Sequence, residues 1–204
     1  MELKGENITF KYPSSNQYIL KDIDISLKNN EVKGLIGDSG SGKSTLCKIL
    51  AGYQKSNGRI AIDNSEVNFN KNFRQVQLIF QHPELTMNPK WKMKKILYES
   101  WDVDEELIKK FGIQSSWLNR WPNELSGGEI QRFAVLRALS PKTKFLIADE
   151  ITTMLDTVTQ VQIWTHVLEI CSERDIGVLV VSHDKKLVDK ICDDVVYLND
   201  INSV

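Results

Sequence analysis

Apolar positions along the chain change period several times, and each change marks an element. Ile8-Thr9-Phe10-Lys11-Tyr12 alternates and is rich in β-formers, which predicts a strand, and Pro13-Ser14-Ser15-Asn16 predicts the turn after it. Ile23, Ile25 and Leu27 repeat at period two and predict a second strand. Val32-Lys33-Gly34-Leu35-Ile36 predicts a third, which runs straight into a glycine-rich stretch. Leu46, Ile49 and Leu50 then fall at helical spacing, and Gly52 supplies a stop. The order is strand, glycine loop, helix. Arg59-Ile60-Ala61-Ile62 and Val76-Gln77-Leu78-Ile79-Phe80 predict two more strands.

The pattern changes after Gln81. From about residue 93 to 139 the chain is charged, carries tryptophans and follows a helical period, with helices expected over 93–101, 104–111 and 126–139. Phe145-Leu146-Ile147-Ala148 and Val178-Leu179-Val180-Val181 are continuous apolar runs bounded by polar residues, as suits parallel strands buried on both faces. Val158, Val161, Ile163, Val167, Leu168 and Ile170 predict a long helix between them. The expectation is one α/β domain over 1–204, with a core of 1–81 and 141–204 and a helical insertion over 82–140. Trp91, Trp101, Trp117 and Trp121 lie in that insertion, where core packing is the expected role for most of them.

Composition narrows the partners. The 204 residues are 41% hydrophobic and 26% charged, close to the globular average. With 26 Lys and Arg against 27 Asp and Glu, the net charge of −1 gives no global field to collect nucleic acid. Cys47, Cys171 and Cys192 are odd in number and widely spaced, and read as reduced, mostly buried thiols rather than a disulfide or zinc framework. The start of the chain lacks a signal-peptide pattern. Ile176-Gly177-Val178-Leu179-Val180-Val181 falls far short of the ~20 residues of a membrane span.

Residues 37–44 fit G-x-x-x-x-G-K-[ST] completely. Glycines at 37, 40 and 42 let the backbone curl so that N–H groups of Gly37, Asp38, Ser39, Gly40, Ser41 and Gly42 can turn toward a phosphate. The following helix adds its positive end. Lys43 can reach the β- and γ-phosphates, the Ser44 hydroxyl can ligate Mg²⁺, and Thr45 can add a phosphate contact. The buried run at 145–148 ends in Asp149-Glu150. An Asp at the end of such a strand sits beside the phosphate loop and can hold Mg²⁺. Glu150 can orient an attacking water or accept its proton. The chemistry so far is that of a nucleoside triphosphatase.

Leu125-Ser126-Gly127-Gly128-Glu129-Ile130-Gln131-Arg132 adds a second feature. Ser126 followed by Glu129 is a capping box. Two glycines in the first turn cost helix stability, about 1 kcal/mol each, but leave bare N–H groups for an anion. The stretch resembles the signature of ATP-binding subunits of ABC transporters, Leu-Ser-Gly-Gly-Gln, with Glu129 as a departure at the fifth position. The resemblance spans nearly the whole chain. It implies a P-loop NTPase fold of the ABC ATPase type: a RecA-like parallel sheet, an antiparallel N-terminal β-subdomain and a helical insertion. It implies an adenine-stacking role for Tyr12. Gln81 would contact Mg²⁺ and couple to a membrane partner, Asp156 would belong to the D-loop, and His183 would reach the γ-phosphate. It implies ATP and Mg²⁺ as ligands and a head-to-tail pair. In that pair Ser126, Gly127, Gly128 and Glu129 of one subunit face the ATP held by the other.

With no membrane span, such a subunit would sit at the cytoplasmic face of the membrane, docked on separate permease subunits near Gln81 and the helical insertion. A solute-binding protein is a further possible partner, and nucleic acid is not expected. Gln81-His82-Pro83 with Leu85-Thr86-Met87-Asn88-Pro89, and residues 149–156 with the helix after them, resemble the peptide and nickel importer branch, which often pairs two different ATPase subunits. Three departures stand against that branch: Ile151 where Pro is usual, Asn30 where Gly is usual, and an end at Val204 without the branch's C-terminal extension. The alternatives are an exporter or immunity-type ATPase, a soluble ABC ATPase acting on DNA or ribosomes, and a P-loop kinase.

Overall fold

The computed structural model describes residues 1–68, 75–152 and 155–204. Nine strands form two sheets among these residues. β1 (Glu2–Phe10), β2 (Leu20–Lys28), β4 (Asn57–Ile62) and β5 (Ser65–Glu66) make an antiparallel sheet in the order β2-β1-β4-β5. β3 (Val32–Ile36), β6 (Val76–Ile79), β7 (Phe145–Asp149), β8 (Gly177–Val181) and β9 (Asp194–Tyr197) make a parallel sheet in the order β6-β7-β8-β3-β9. β7 and β8 are buried at every position, as their unbroken apolar runs require.

Alternate residues of the parallel strands feed two apolar clusters. Phe145, Ile147, Leu179 and Val181 face the antiparallel sheet and α1 (Lys43–Leu50), meeting Leu3, Ile8, Leu46 and Ile49. Leu146, Ala148, Val178 and Val180 face the other way. There they meet α2 (Met93–Tyr98), α3 (Glu105–Lys110), α4 (Gly127–Ala138) and α5 (Thr157–Glu173) through Met93, Ile108, Phe133, Leu136, Val167 and Ile170. Trp117 is buried and Trp91 and Trp101 pack on this second cluster, whereas Trp121 is exposed. Cys47 and Cys171 are buried and Cys192 is half-buried, and burial pushes the latter two thiols up to about 12.

Several boundaries differ from the expectation. β1 begins at Glu2 and ends at Phe10, so Tyr12 lies beyond the strand. Its period is broken where Asn7 takes φ 52° and the register with β2 and β4 shifts. Asn30, in the turn between β2 and β3, takes φ 56°, a left-handed conformation that Asn tolerates better than most side chains, which accounts for Asn in place of Gly. After β8 come α6 (Lys185–Ile191), the edge strand β9 and α7 (Leu198–Ile201), none of which the periodicity predicted.

Candidate nucleotide site

Sheet register brings the loops together. Leu35 pairs with Val181 and Val181 with Asp149, so the carboxyl ends of β3, β8 and β7 lie side by side. Loops leaving those ends therefore converge, as in other open α/β sheets. They carry residues 37–45, 182–184 and 149–152.

The glycine loop folds as its residue types require. Gly40 and Gly42 have φ of 81° and 104°, values that favour glycine. A Cβ on Gly42 would also lie 2.9 Å from the Ile19 and Leu20 side chains. Lys43 is buried, and its ammonium folds back to donate to the carbonyls of Gly37 at 2.7 Å and Asp38 at 2.9 Å. The hydroxyl of Ser41 is buried without a protein partner. Helix α1 starts with no acidic residue and no side-chain cap, so its first N–H groups are available to an anion. Tyr12 packs edge-on to Phe10 with ring centroids 4.9 Å apart, and its hydroxyl lies 3.0 Å from the Thr45 Oγ1. Tyr12 remains 41% exposed beside the loop. Asn199, which no sequence pattern singled out, donates to the Asp38 carboxylate at 3.1 Å and ties α7 to the loop.

Asp149 and Glu150 differ sharply. Asp149 is 4% exposed, and burial pushes its carboxyl up, with the Glu150 charge adding to the effect. A hydrogen bond from Ser44 and the charges of Lys43 and Lys48 oppose that rise. One carboxylate oxygen, Oδ1, is buried with no protein partner. A buried, partly unsatisfied carboxylate beside a serine hydroxyl is a donor set that fits a hard divalent cation such as Mg²⁺. Among the described residues no cluster of three or more His, Cys, Asp or Glu side chains could hold a metal by itself. The remaining ligands of such a cation would come from phosphate and water.

Glu150 sits just past the strand with φ 52°, and its N–H is fixed to the Val181 carbonyl at 2.9 Å. Its carboxylate is held from two sides. Gln81 Nε2 donates to Oε2 at 3.0 Å, and His183 Nδ1 lies 3.3 Å from Oε1. The structure thus joins three residues that are far apart in sequence. His183 is mostly exposed on the open side of this cluster.

Ser126 caps α4: its oxygen accepts from the Glu129 N–H at 3.3 Å while the Glu129 carboxylate accepts from the Ser126 N–H at 2.7 Å. The Glu129 side chain is thereby used in the cap. A Cβ on Gly127 would meet nothing within 4 Å, whereas one on Gly128 would lie 2.9 Å from Leu155. Asp156 caps α5, accepting from Thr159 N–H at 3.0 Å and its hydroxyl at 2.6 Å. These bonds hold the Asp156 carboxyl below its usual range. Within the 149–156 stretch, Thr153 and Met154 lie outside the described residues, and Ile151 is buried.

A phosphate loop on a parallel sheet, a buried strand-end Asp, and a second glycine-bearing helix start define an ATP-binding cassette. The family model described as ABC transporter matches residues 20–153, and the chain belongs to that family of ATPases. It is 33% identical to the nickel import system ATP-binding protein NikE of Staphylococcus aureus (strain bovine RF122 / ET3-1), over 98% of this chain and 87% of the relative. It is 32% identical to the oligopeptide transport ATP-binding protein OppF of Streptococcus mutans serotype c, over 95% of this chain and 70% of the relative. It spans 65% of the oligopeptide transport ATP-binding protein OppD of Lactococcus lactis subsp. cremoris. Among solved structures, it matches the dimeric cassette MJ0796 in a post-hydrolysis state bound to ADP and Pi. The TM-score is 0.82 and the identity 27%, over 96% of this chain and 93% of that one. Among the described residues no helix is long and apolar enough to cross a membrane.

Proposed function

We propose that this chain is the ATP-hydrolysing subunit of an importer for peptide, nickel or a metal chelate. It works as a head-to-tail pair, with itself or with a second ATPase subunit, at the cytoplasmic face of the membrane. Residues 1–81 and 141–204 form the nucleotide-binding core and residues 82–140 a helical subdomain. In this reading the N–H groups of residues 37–42 cradle the β- and γ-phosphates, Lys43 turns from the loop carbonyls toward them, and Tyr12 stacks on the adenine. Ser44, Asp149 and Gln81 would hold Mg²⁺, whose bound charge offsets that of the phosphates. Glu150 orients the attacking water and takes its proton, and His183 contacts the γ-phosphate. Ser126 and the bare N–H groups of Gly127 and Gly128 face the ATP of the partner, and Asp156 fixes the D-loop by capping α5.

The observation that carries the reading is the Glu150 carboxylate, gripped by Gln81 and His183 directly beside the Ser44–Asp149 pair. The importer assignment rests on the likeness to NikE and OppF together with the 81–89 stretch. A groove of about 730 Å³ next to Gln81 offers a permease segment a seat, with Tyr53, Phe80 and Pro83 on one side and Ala134 and Arg137 of α4 on the other. A solute-binding protein would complete such a system outside the membrane. The test is Glu150→Gln: steady-state hydrolysis falls by ~100-fold or more, while ATP-driven pairing, followed by light scattering, persists. Wild-type turnover in that variant removes Glu150 from its role.

A further inference from the structure

Gln131 lies on the second turn of α4, and no element of the mechanism above uses it. It is 5% exposed, and its side-chain Nε2 is buried without a protein hydrogen-bond partner. A buried amide donor left unpaired is costly to the fold, so its surroundings matter. It lines a small cavity with Gly127, one turn before it, and with Gln81, Glu150, Ile151 and Leu155. The cavity leaves about 10 Å³ for a water centre, which is room for one water molecule. Gln81 and Glu150, which are hydrogen-bonded to each other, share this lining with Pro83 and Glu84.

We propose that Gln131 is a positioning residue. Its amide donates to a single water held in this cavity, and that water bridges to the Gln81–Glu150 pair. The helix that carries the signature is thereby tied to the carboxylate of its own chain, in addition to the apolar contact of Leu155 on the Gly128 position. A rotation or shift of α4 would then move the network that aims Glu150. The role in turnover rests on the reading of Glu150 as the base, whereas the bridge itself does not.

The test uses Gln131→Met, which keeps the volume and removes the donor, together with Glu150→Gln and the double variant. Thermal unfolding of the nucleotide-free chain reads the bridge. Residues sharing a network are non-additive, and here the singles should fail to add by about 2 °C or more. A dry, unpaired amide predicts a higher Tm for Gln131→Met and simple additivity, and that result overturns the proposal. Should Gln131→Met not fold, Gln131→Glu sets a second carboxylate against Glu150. Its Tm should then recover on adding Glu150→Gln, and strict additivity again overturns the bridge. In the assembled dimer, Gln131→Met should lower kcat about threefold or more at unchanged KM for ATP, which a role confined to stability would not do. Wild-type kcat in a folded, ATP-binding Gln131→Met protein overturns the positioning role. Full turnover in Glu150→Gln would instead sink the base assignment and leave the stability result standing.

Discussion

The two neighbouring acids show how environment separates residues of similar chemistry. Asp149 closes a strand buried at every position, so its charge is disfavoured, and only Ser44 and two lysines offset that. Glu150 lies one residue further, leaves the strand through a left-handed backbone, and has its carboxylate gripped by an amide and an imidazole. A residue in that backbone region costs of order 1–3 kcal/mol and persists only where its surroundings enforce it, here through the bond to Val181. In the proposed function Asp149 is thus held for a cation at some cost to the nucleotide-free fold. Asp149→Asn keeps the shape and an acceptor for Ser44 while removing the buried charge. Its nucleotide-free stability should rise by about 1 kcal/mol, and the extra stabilisation that Mg²⁺ adds to ATP binding should disappear. Paired melting curves with and without Mg²⁺ and ATP check both halves. A lower Tm for the nucleotide-free variant would contradict the account of Asp149 as a strained ligand.

In the proposed function, helix α4 joins two surfaces that have to communicate. Its first turn carries the glycines of the signature, and Ala134 and Arg137 near its other end wall the large groove. Seven residues at 1.5 Å each put Ala134 ~10 Å along a rigid rod from Gly127. Ala134→Arg should therefore fill the groove and abolish ATP-driven transport in membranes carrying the permease, while the Kd for ATP of the isolated subunit stays within about twofold. Unimpaired transport would show that the permease seats elsewhere. The ends of α4 were legible in sequence, because Ser126 and Glu129 form a capping box and the apolar period runs to Leu139. So were β7 and β8, whose burial on both faces leaves no polar position to confuse. The full extent of β1 was not, because the bulge at Asn7 breaks its alternation. β9 is a short, half-exposed edge strand held by pairing with β3, and α6 and α7 are too short to develop a period. The site divides in the same way. The phosphate loop and the Asp149-Glu150 pair are continuous in sequence. The grip of Gln81 and His183 on Glu150, the Asn199 contact and the buried Gln131 amide arise only when the sheet aligns its strand ends.

At the scale of the whole molecule, the proposed function makes the start of α4 half of an anion site that a second protomer completes. Within one chain the start of α4 packs on Leu155 and on the cavity beside Gln81 and Glu150, and its first turn carries bare N–H groups at Gly127, where added bulk would meet nothing. A site split between two copies makes a complementation prediction that a self-sufficient site does not. Lys43→Ala should lose most ATP affinity, and Ser126→Arg should bind ATP as a monomer but not turn it over, so each alone is inactive. Mixing them forms dimers in which one nucleotide site takes Lys43 from one protomer and Ser126 from the other, both intact, while the second site carries both defects. If this chain pairs with itself, random exchange makes about half the dimers mixed, each with one sound site of two, so activity should return to about a quarter of wild type. The recovered rate should depend on the square of protein concentration below the dimer Kd, since association must precede hydrolysis. If the two variants are shown to co-assemble and no activity returns, the two halves of the site do not belong to different protomers.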